Sequence, residues 1–294
     1  MKKLAQGIWL SGIVGMSALP ARADKPASAL VFTREIRSHG NPPPPAGLQE
    51  YREAIKQLSL AQGKDPAPGV ELLHRGDEKG FSPATYALGV LHAFGQEGVP
   101  QNAAEGLRLI RKAAAAGNAN AQFTLGKLMG SGVGMSKQPR LALILLRGAE
   151  SGGVLQAKEG IRELKGQLAL PGGVPDGWAD LEDCRLVEPY PSKALPKAWE
   201  KEPTSGLLVM ALEVDSAGNV VLAQEVFGRP ELVKEGLELA RQLHFKPRMA
   251  GGVPQPFKTL LSIRLIEDHS WVTQGRVITT ETYDVLPGGI LFRH

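Results

Sequence analysis

The hydrophobic positions of this chain fall into two regimes. From Leu48 to Leu168 they recur at helical spacing, and the pattern repeats itself. Val70, Leu107 and Leu143 lie 37 and 36 residues apart, and Leu73, Ile110 and Leu146 follow at the same spacings. Ala84, Ala87, Leu88 and Leu91 sit at i, i+3, i+4 and i+7, which places all four on one helical face. Ala121, Thr124, Leu125 and Leu128 reproduce that stripe 37 residues later. Gly80, Gly117 and Gly152 end the periodic segments. Each period therefore predicts two short helices joined by a glycine-rich turn. Such a pair cannot bury its apolar face alone, so the pairs must stack into an α-helical solenoid. Tyr51 to Gly80 predicts a degenerate first copy, and Ala157, Ile161 and Leu164 predict a capping helix.

After Tyr190 the period becomes that of strands. Leu208, Met210, Leu212 and Val214 alternate with Val209, Ala211 and Glu213. Asp215-Ser216-Ala217-Gly218 predicts a turn, and Val220, Leu222 and Val226 begin a second strand. Pro230 and Glu231 open a helix with Leu232, Gly236, Leu239 and Leu243 along one face. Phe257, Thr259, Leu261, Ile263 and Leu265 share one face of a third strand, leaving Lys258, Leu260, Ser262 and Arg264 outward. This order predicts a small α+β domain over 190–267. Arg276 to Val285, rich in β-branched residues, reads as a further strand within a tail of 268–294 that folds back on the third strand or swaps between two chains to form a homodimer.

Three segments lie outside these regimes. Residues 1–23 read as a cleavable secretory signal: Lys2 and Lys3, an apolar stretch from Leu4 to Leu19, and Ala21-Arg22-Ala23 as the cleavage site. The rival is an uncleaved anchor, although the apolar run falls short of the ~20 residues of a spanning helix. Residues 24–47 contain Pro42 to Pro45 and read as an extended tether. Residues 169–189, with Pro171, Gly172, Gly173, Pro175 and Gly177, read as a linker. Composition then narrows the function. Lys2, Lys3 and Arg22 supply most of the formal net charge of +4, so the remainder is nearly neutral and offers no electrostatic case for binding nucleic acid. The single cysteine, Cys184, permits neither an internal disulfide nor a cysteine-based metal site.

The first regime resembles the Sel1-like repeat family. Leu88-Gly89, Gly95, Gly98-Val99, Ala104, Lys112-Ala113-Ala114 and Gly117 carry the likeness, and Ala121, Leu125-Gly126, Gly132-Val133 and Gly152 repeat it. The resemblance covers about 48–168 and implies a curved Sel1/TPR-like scaffold for protein contacts. Some members have been suggested to act on cell-wall-like substrates. The second regime resembles the C-terminal domain of TonB-type energy transducers. Tyr190-Pro191 opens it before a short helix at Ser192 to Trp199, Gly218 sits in its turn, Phe245-Lys246-Pro247 matches its Phe-Lys-Pro signature, and Gly252-Val253-Pro254 matches its Gly-x-Pro turn. This resemblance implies that partner segments add as an extra strand beside Phe257, Lys258, Thr259, Leu260, Leu261, Ser262, Ile263, Arg264 and Leu265.

The sequence holds no Gly-x-Ser-x-Gly, no His-Glu-x-x-His and no Ser-x-x-Lys, and its six histidines are scattered. No catalytic residue, metal ligand or cofactor site is expected. The reading is a periplasmic, non-catalytic adaptor that binds extended segments of envelope proteins, outer-membrane transporter peptides among them. An inner-membrane-anchored energy transducer and a cell-wall-directed hydrolase are the alternatives.

Overall fold

The computed structural model describes residues 29–38, 44–60, 65–170, 172, 177–179, 184–187, 205–273 and 276–279, with the backbone alone for 29–38 and beyond 265. The leader, Tyr190-Pro191, the helix at 192–199 and the end of the tail lie outside these residues.

Seven helices build the first part: α1 (Leu48–Leu60), α2 (Ala67–Glu78), α3 (Ser82–Phe94), α4 (Ala103–Ala115), α5 (Ala119–Ser131), α6 (Pro139–Ser151) and α7 (Ala157–Leu168). α1 packs on α2, α3 on α4 and α5 on α6, and α7 closes the row against α6. The start signals are local. Asn102 caps α4 by accepting the Glu105 amide, and Asn118 caps α5 by accepting the Ala121 amide. Ala84, Ala87, Leu88 and Leu91 are buried on α3, and Ala121 and Leu125 repeat that burial on α5. The expected degenerate pair and capping helix correspond to α1–α2 and α7.

The second part is a sheet with a helix on one face. Its strands are β1 (Ala29–Ser38), β2 (Gly206–Val214), β3 (Val220–Gly228), β6 (Phe257–Thr273) and β7 (Arg276–Thr279), and its helix is α8 (Pro230–Arg241). A separate hairpin joins β4 (Arg248–Ala250) to β5 (Val253–Gln255). The sheet order is β1-β6-β2-β3, with β6 antiparallel to β2 and parallel to β1. Leu208, Met210, Leu212, Leu261, Ile263 and Leu265 bury against Leu232, Leu239 and Ala240 of α8.

Two expectations change here. The stretch 24–47 is not a tether throughout, because Ala29–Ser38 forms β1, paired in register from Ala29 opposite Ser262 to Ser38 opposite Trp271. Its sequence, ALVFTREIRS, is rich in β-branched and aromatic residues, and the proline run Pro42 to Pro45 comes only after it. The stretch 169–189 also does more than link. Ala179, Cys184 and Leu186 belong to the core under α8, while Trp178 packs against the helices.

Opposite α8, the sheet is buried under the solenoid along β2, at the end of β3 and at Leu260 of β6. Leu207, Val209, Phe227 and Leu260 share one core with Ile110, Ala113, Leu141, Leu145 and Ala149. With α8 on one face and the solenoid on the other, β2 is apolar at nearly every position.

Candidate binding edge

Every residue of the expected binding strand lies in β6, and the strand is bordered on both sides. β2 covers one edge, from Gly206 opposite Leu265 to Val214 opposite Phe257. The other edge is filled in two pieces. Near its start, Lys258 donates its amide to the Gly177 carbonyl at 2.8 Å, and the Ala179 amide donates to the Lys258 carbonyl at 2.8 Å. From Ser262 onward β1 takes over. β6 is thus an interior strand of the sheet, contrary to the open edge expected from its place as the domain's third strand. β1 is contributed by residues more than 200 positions earlier in the chain, a pairing no local pattern announces.

The tail does not cap that edge either. β7 pairs with Ser270–Thr273, and Ser270 and Trp271 are also partnered by β1. A strand has only two edges, so β7 and β1 lie on opposite ones and β7 continues the β2 side.

The alternation along β6 sorts as expected on one face only. Phe257, Leu261, Ile263 and Leu265 face the α8 core, and buried Thr259 accepts a hydrogen bond from the Cys184 thiol at 3.1 Å. The other face was expected to flank an incoming peptide. Instead Leu260 and Ser262 are buried, and Arg264 reaches into the helices, where its Nη2 donates to the Gly148 carbonyl of α6 at 2.9 Å. Burial pulls the Arg264 guanidinium below its ordinary pKa. Lys258 keeps its ammonium outside, 2.6 Å from Glu213 on β2.

The remaining motif residues form a support behind the edge. Gly218, with φ +99°, brings the hairpin turn against the Phe245 backbone, and the Phe245 amide donates to the Gly218 carbonyl at 2.7 Å. The Phe245 ring is fully buried and meets Phe257 edge-on, with centroids 6.0 Å apart. The Lys246 amide donates to the Arg185 carbonyl at 2.7 Å, which ties the 184–187 segment to this turn, while its side chain is exposed. Pro247 follows at the surface and leads into β4. His244 is exposed beside Asn219 rather than packed in the core.

Contacts that sequence reasoning missed hold solenoid and sheet together. The Arg111 guanidinium lies 5.6 Å from the Phe227 ring centroid, and that of Arg140 lies 4.4 Å from the Trp178 ring centroid. Arg140 Nη2 also donates to the Ala179 carbonyl at 2.6 Å. Their signal is present but quiet: Val209 and Ala211, which alternate with the Leu208 set, and Leu260, expected outward, are all apolar. Beside Arg111 a cavity of about 480 Å³ opens between α3, α4 and the end of β3. Among the described residues no cluster of three His, Cys, Asp or Glu side chains is gathered for a metal, and no helix is long and apolar enough to cross a membrane.

Comparison with known proteins bears on the helical part. No curated protein matches the chain. Among solved structures, a Sel1 repeat protein from Oxalobacter formigenes is 24% identical with a TM-score of 0.36, covering 40% of this chain and 88% of that one. A protective antigen of uropathogenic Escherichia coli displaying an SLR fold is 20% identical with a TM-score of 0.33, covering 42% of this chain and 31% of that one. The Sel1 repeat family model matches residues 82–118 and 119–153, the spans of α3–α4 and α5–α6. Those two helix pairs are Sel1 repeats, a type of unit that generally mediates contacts between proteins.

Proposed function

We propose that this protein is a non-catalytic adaptor of the bacterial cell envelope. The β6 edge binds an extended segment of one envelope protein by strand addition, and the Sel1 repeats supply a surface for a second. The observation that carries this reading is the β1–β6 ladder. Ten consecutive residues of the chain's own N-terminal region run parallel along Ser262–Trp271, so that edge accepts an extended segment in register. The sequence resemblance of 190–267 to the TonB C-terminal domain, carried by Gly218, Phe245-Lys246-Pro247 and Gly252-Val253-Pro254, is a second support. The leader at 1–23 is the basis for a periplasmic location. The joint core supports a rigid adaptor, since solenoid and sheet share buried side chains instead of hanging on a flexible spacer.

The test has two parts. Intact-mass measurement of the exported protein is expected to give a chain beginning at Asp24. A full-length chain embedded in the membrane would replace this reading with an anchored energy transducer. Cross-linking in living cells from a photoreactive residue at Glu267, opposite Arg34 in the β1–β6 ladder, is expected to capture an extended segment of an envelope protein. Capture of nothing there, with the protein folded and exported, would remove strand addition.

A further inference from the structure

β1 differs from the other strands of the sheet in how it is held. β2 and β3 each border a neighbouring strand and also pack against α8, and β2 touches α4 as well. Among the described residues, β1 makes extensive contact with β6 alone. It sits at the margin of the sheet, and its connection to α1 runs through the four prolines at 42–45. An edge strand tied by one ladder can leave at the cost of that ladder, without opening the α8 core or the joint core.

We propose that β1 is an exchangeable strand, and that Ser262–Trp271 of β6 is a docking site which β1 keeps closed until an extended partner segment takes its place. This rests on the adaptor reading and adds the partner's chemistry and the regulation of the site. The partner runs parallel to β6, because β1 does. It is a segment of about the same length with apolar and β-branched residues at many of its positions, as in ALVFTREIRS. A proline at any of the alternate positions whose amides face β6 is disfavoured, since it removes a ladder donor. The rigid attachment of β6 to the solenoid through Arg264 and Leu260 leaves the site in place when β1 departs.

The probe is a fluorescent peptide of residues 27–38, titrated against three forms of the full exported chain. One is the unaltered protein. One carries Phe32→Pro and Arg34→Pro, which remove two of the amides that β1 donates to β6. One carries Thr33→Cys with Ile266→Cys, a facing pair whose strands lie ~4.8 Å apart, inside the range a disulfide spans. The native Cys184 is buried and does not compete. Amide exchange of 262–271 reports where the peptide sits. The proposal expects the proline form to bind at least about tenfold more tightly than the unaltered chain, by removal of the competing strand. It expects the oxidised cysteine form not to bind until it is reduced. Equal binding by all three forms with protection of 262–271 would overturn exchange and leave the adaptor reading standing. A folded proline form that binds no peptide at 262–271 would overturn both. A concentration-dependent dimer that the proline substitutions abolish would overturn the partner in favour of β1 swapping between two copies.

Discussion

The Arg264 guanidinium of β6 donates to the Gly148 carbonyl of α6 at 2.9 Å, and with that bond a sheet and a solenoid 116 residues apart in sequence become one body. The carbonyl is reachable because position 148 has no side chain. A Cβ there would stand 2.2 Å from Gln122 Oε1 and 3.4 Å from Arg264 Nη2. Gln122 has no freedom to retreat, being fully buried with its amide donating to the Ala114 carbonyl at 3.1 Å. Gly148→Ala is therefore expected to lower the unfolding free energy by about 1–3 kcal/mol, read from the urea midpoint at unchanged slope. A change within a few tenths of a kcal/mol would mean that this junction is slack.

Leu260 separates a sheet with one solvated face from a sheet buried on both. It is 6% exposed and belongs to the core shared with α4 and α6. Leu260→Ala is expected to cost about 2–4 kcal/mol, the range for a truncated core leucine. An outward leucine flanking a peptide groove would lose well under about 1 kcal/mol, as surface substitutions generally do.

Gly218 is held by its backbone. Its φ of +99° disfavours any L side chain, and a Cβ would meet the Phe245 carbonyl oxygen at 1.9 Å. Gly218→Ala is expected to break the turn away from Phe245, expose the Phe245–Phe257 pair and destabilise by more than about 2 kcal/mol. Near-ultraviolet circular dichroism and thermal unfolding check this. An unperturbed aromatic signal would show that the turn and the aromatic pair are independent.

The same hairpin carries a pH dependence. The Asn219 side chain, followed by backbone amides including those of Asn219 and Ala217, donates to the Asp215 carboxylate and holds its pKa below the usual aspartate value. A depressed carboxylate contributes stability above its unfolded pKa and loses it as pH falls through its folded one. The turn should therefore keep its structure through the ordinary aspartate range and loosen only below it. The amide signals of Ala217 and Asn219 should titrate with a midpoint under the usual value, and the dependence should vanish in Asp215→Ala. A midpoint at or above that value would place these donors elsewhere.

Helical repeats were legible because their signal is local and recurs. The 37-residue echo of Ala84, Leu88 and Leu91 in Ala121, Leu125 and Leu128 needs no knowledge of the rest of the chain. The hairpin, α8 and the α8-facing side of β6 were legible for the same reason. Two things were not. The pairing of Leu30 with Ile263 joins strands far apart in sequence, and the proline run at 42–45 carries the local signal of a tether that masks the strand before it. The second buried face was written into Leu207, Val209, Ala211 and Leu260, but a strand of that composition reads equally well as one good face and one indifferent one. Only the presence of Ile110, Leu141 and Leu145 against them decides it.

That buried face changes what cleavage of the linker should do. Residues 169–189 have a linker's composition, and separable domains would part after one cut there. Here the two sides share the core around Leu145, Val209 and Leu260, and they are also joined by Arg264 to Gly148, Arg111 to Phe227 and Ser205 to the Ala116 carbonyl. Brief proteolysis is expected to nick the chain between Leu170 and Gly177, yet the helical and sheet fragments should elute together at the size of the whole protein under native conditions. They should separate only in denaturant, in a single transition monitored both by helical ellipticity and by tryptophan fluorescence. Fragments that part in buffer, or two resolved transitions, would show that the shared core is too weak to hold the adaptor rigid, and the docking edge of β6 would then move freely relative to the repeats.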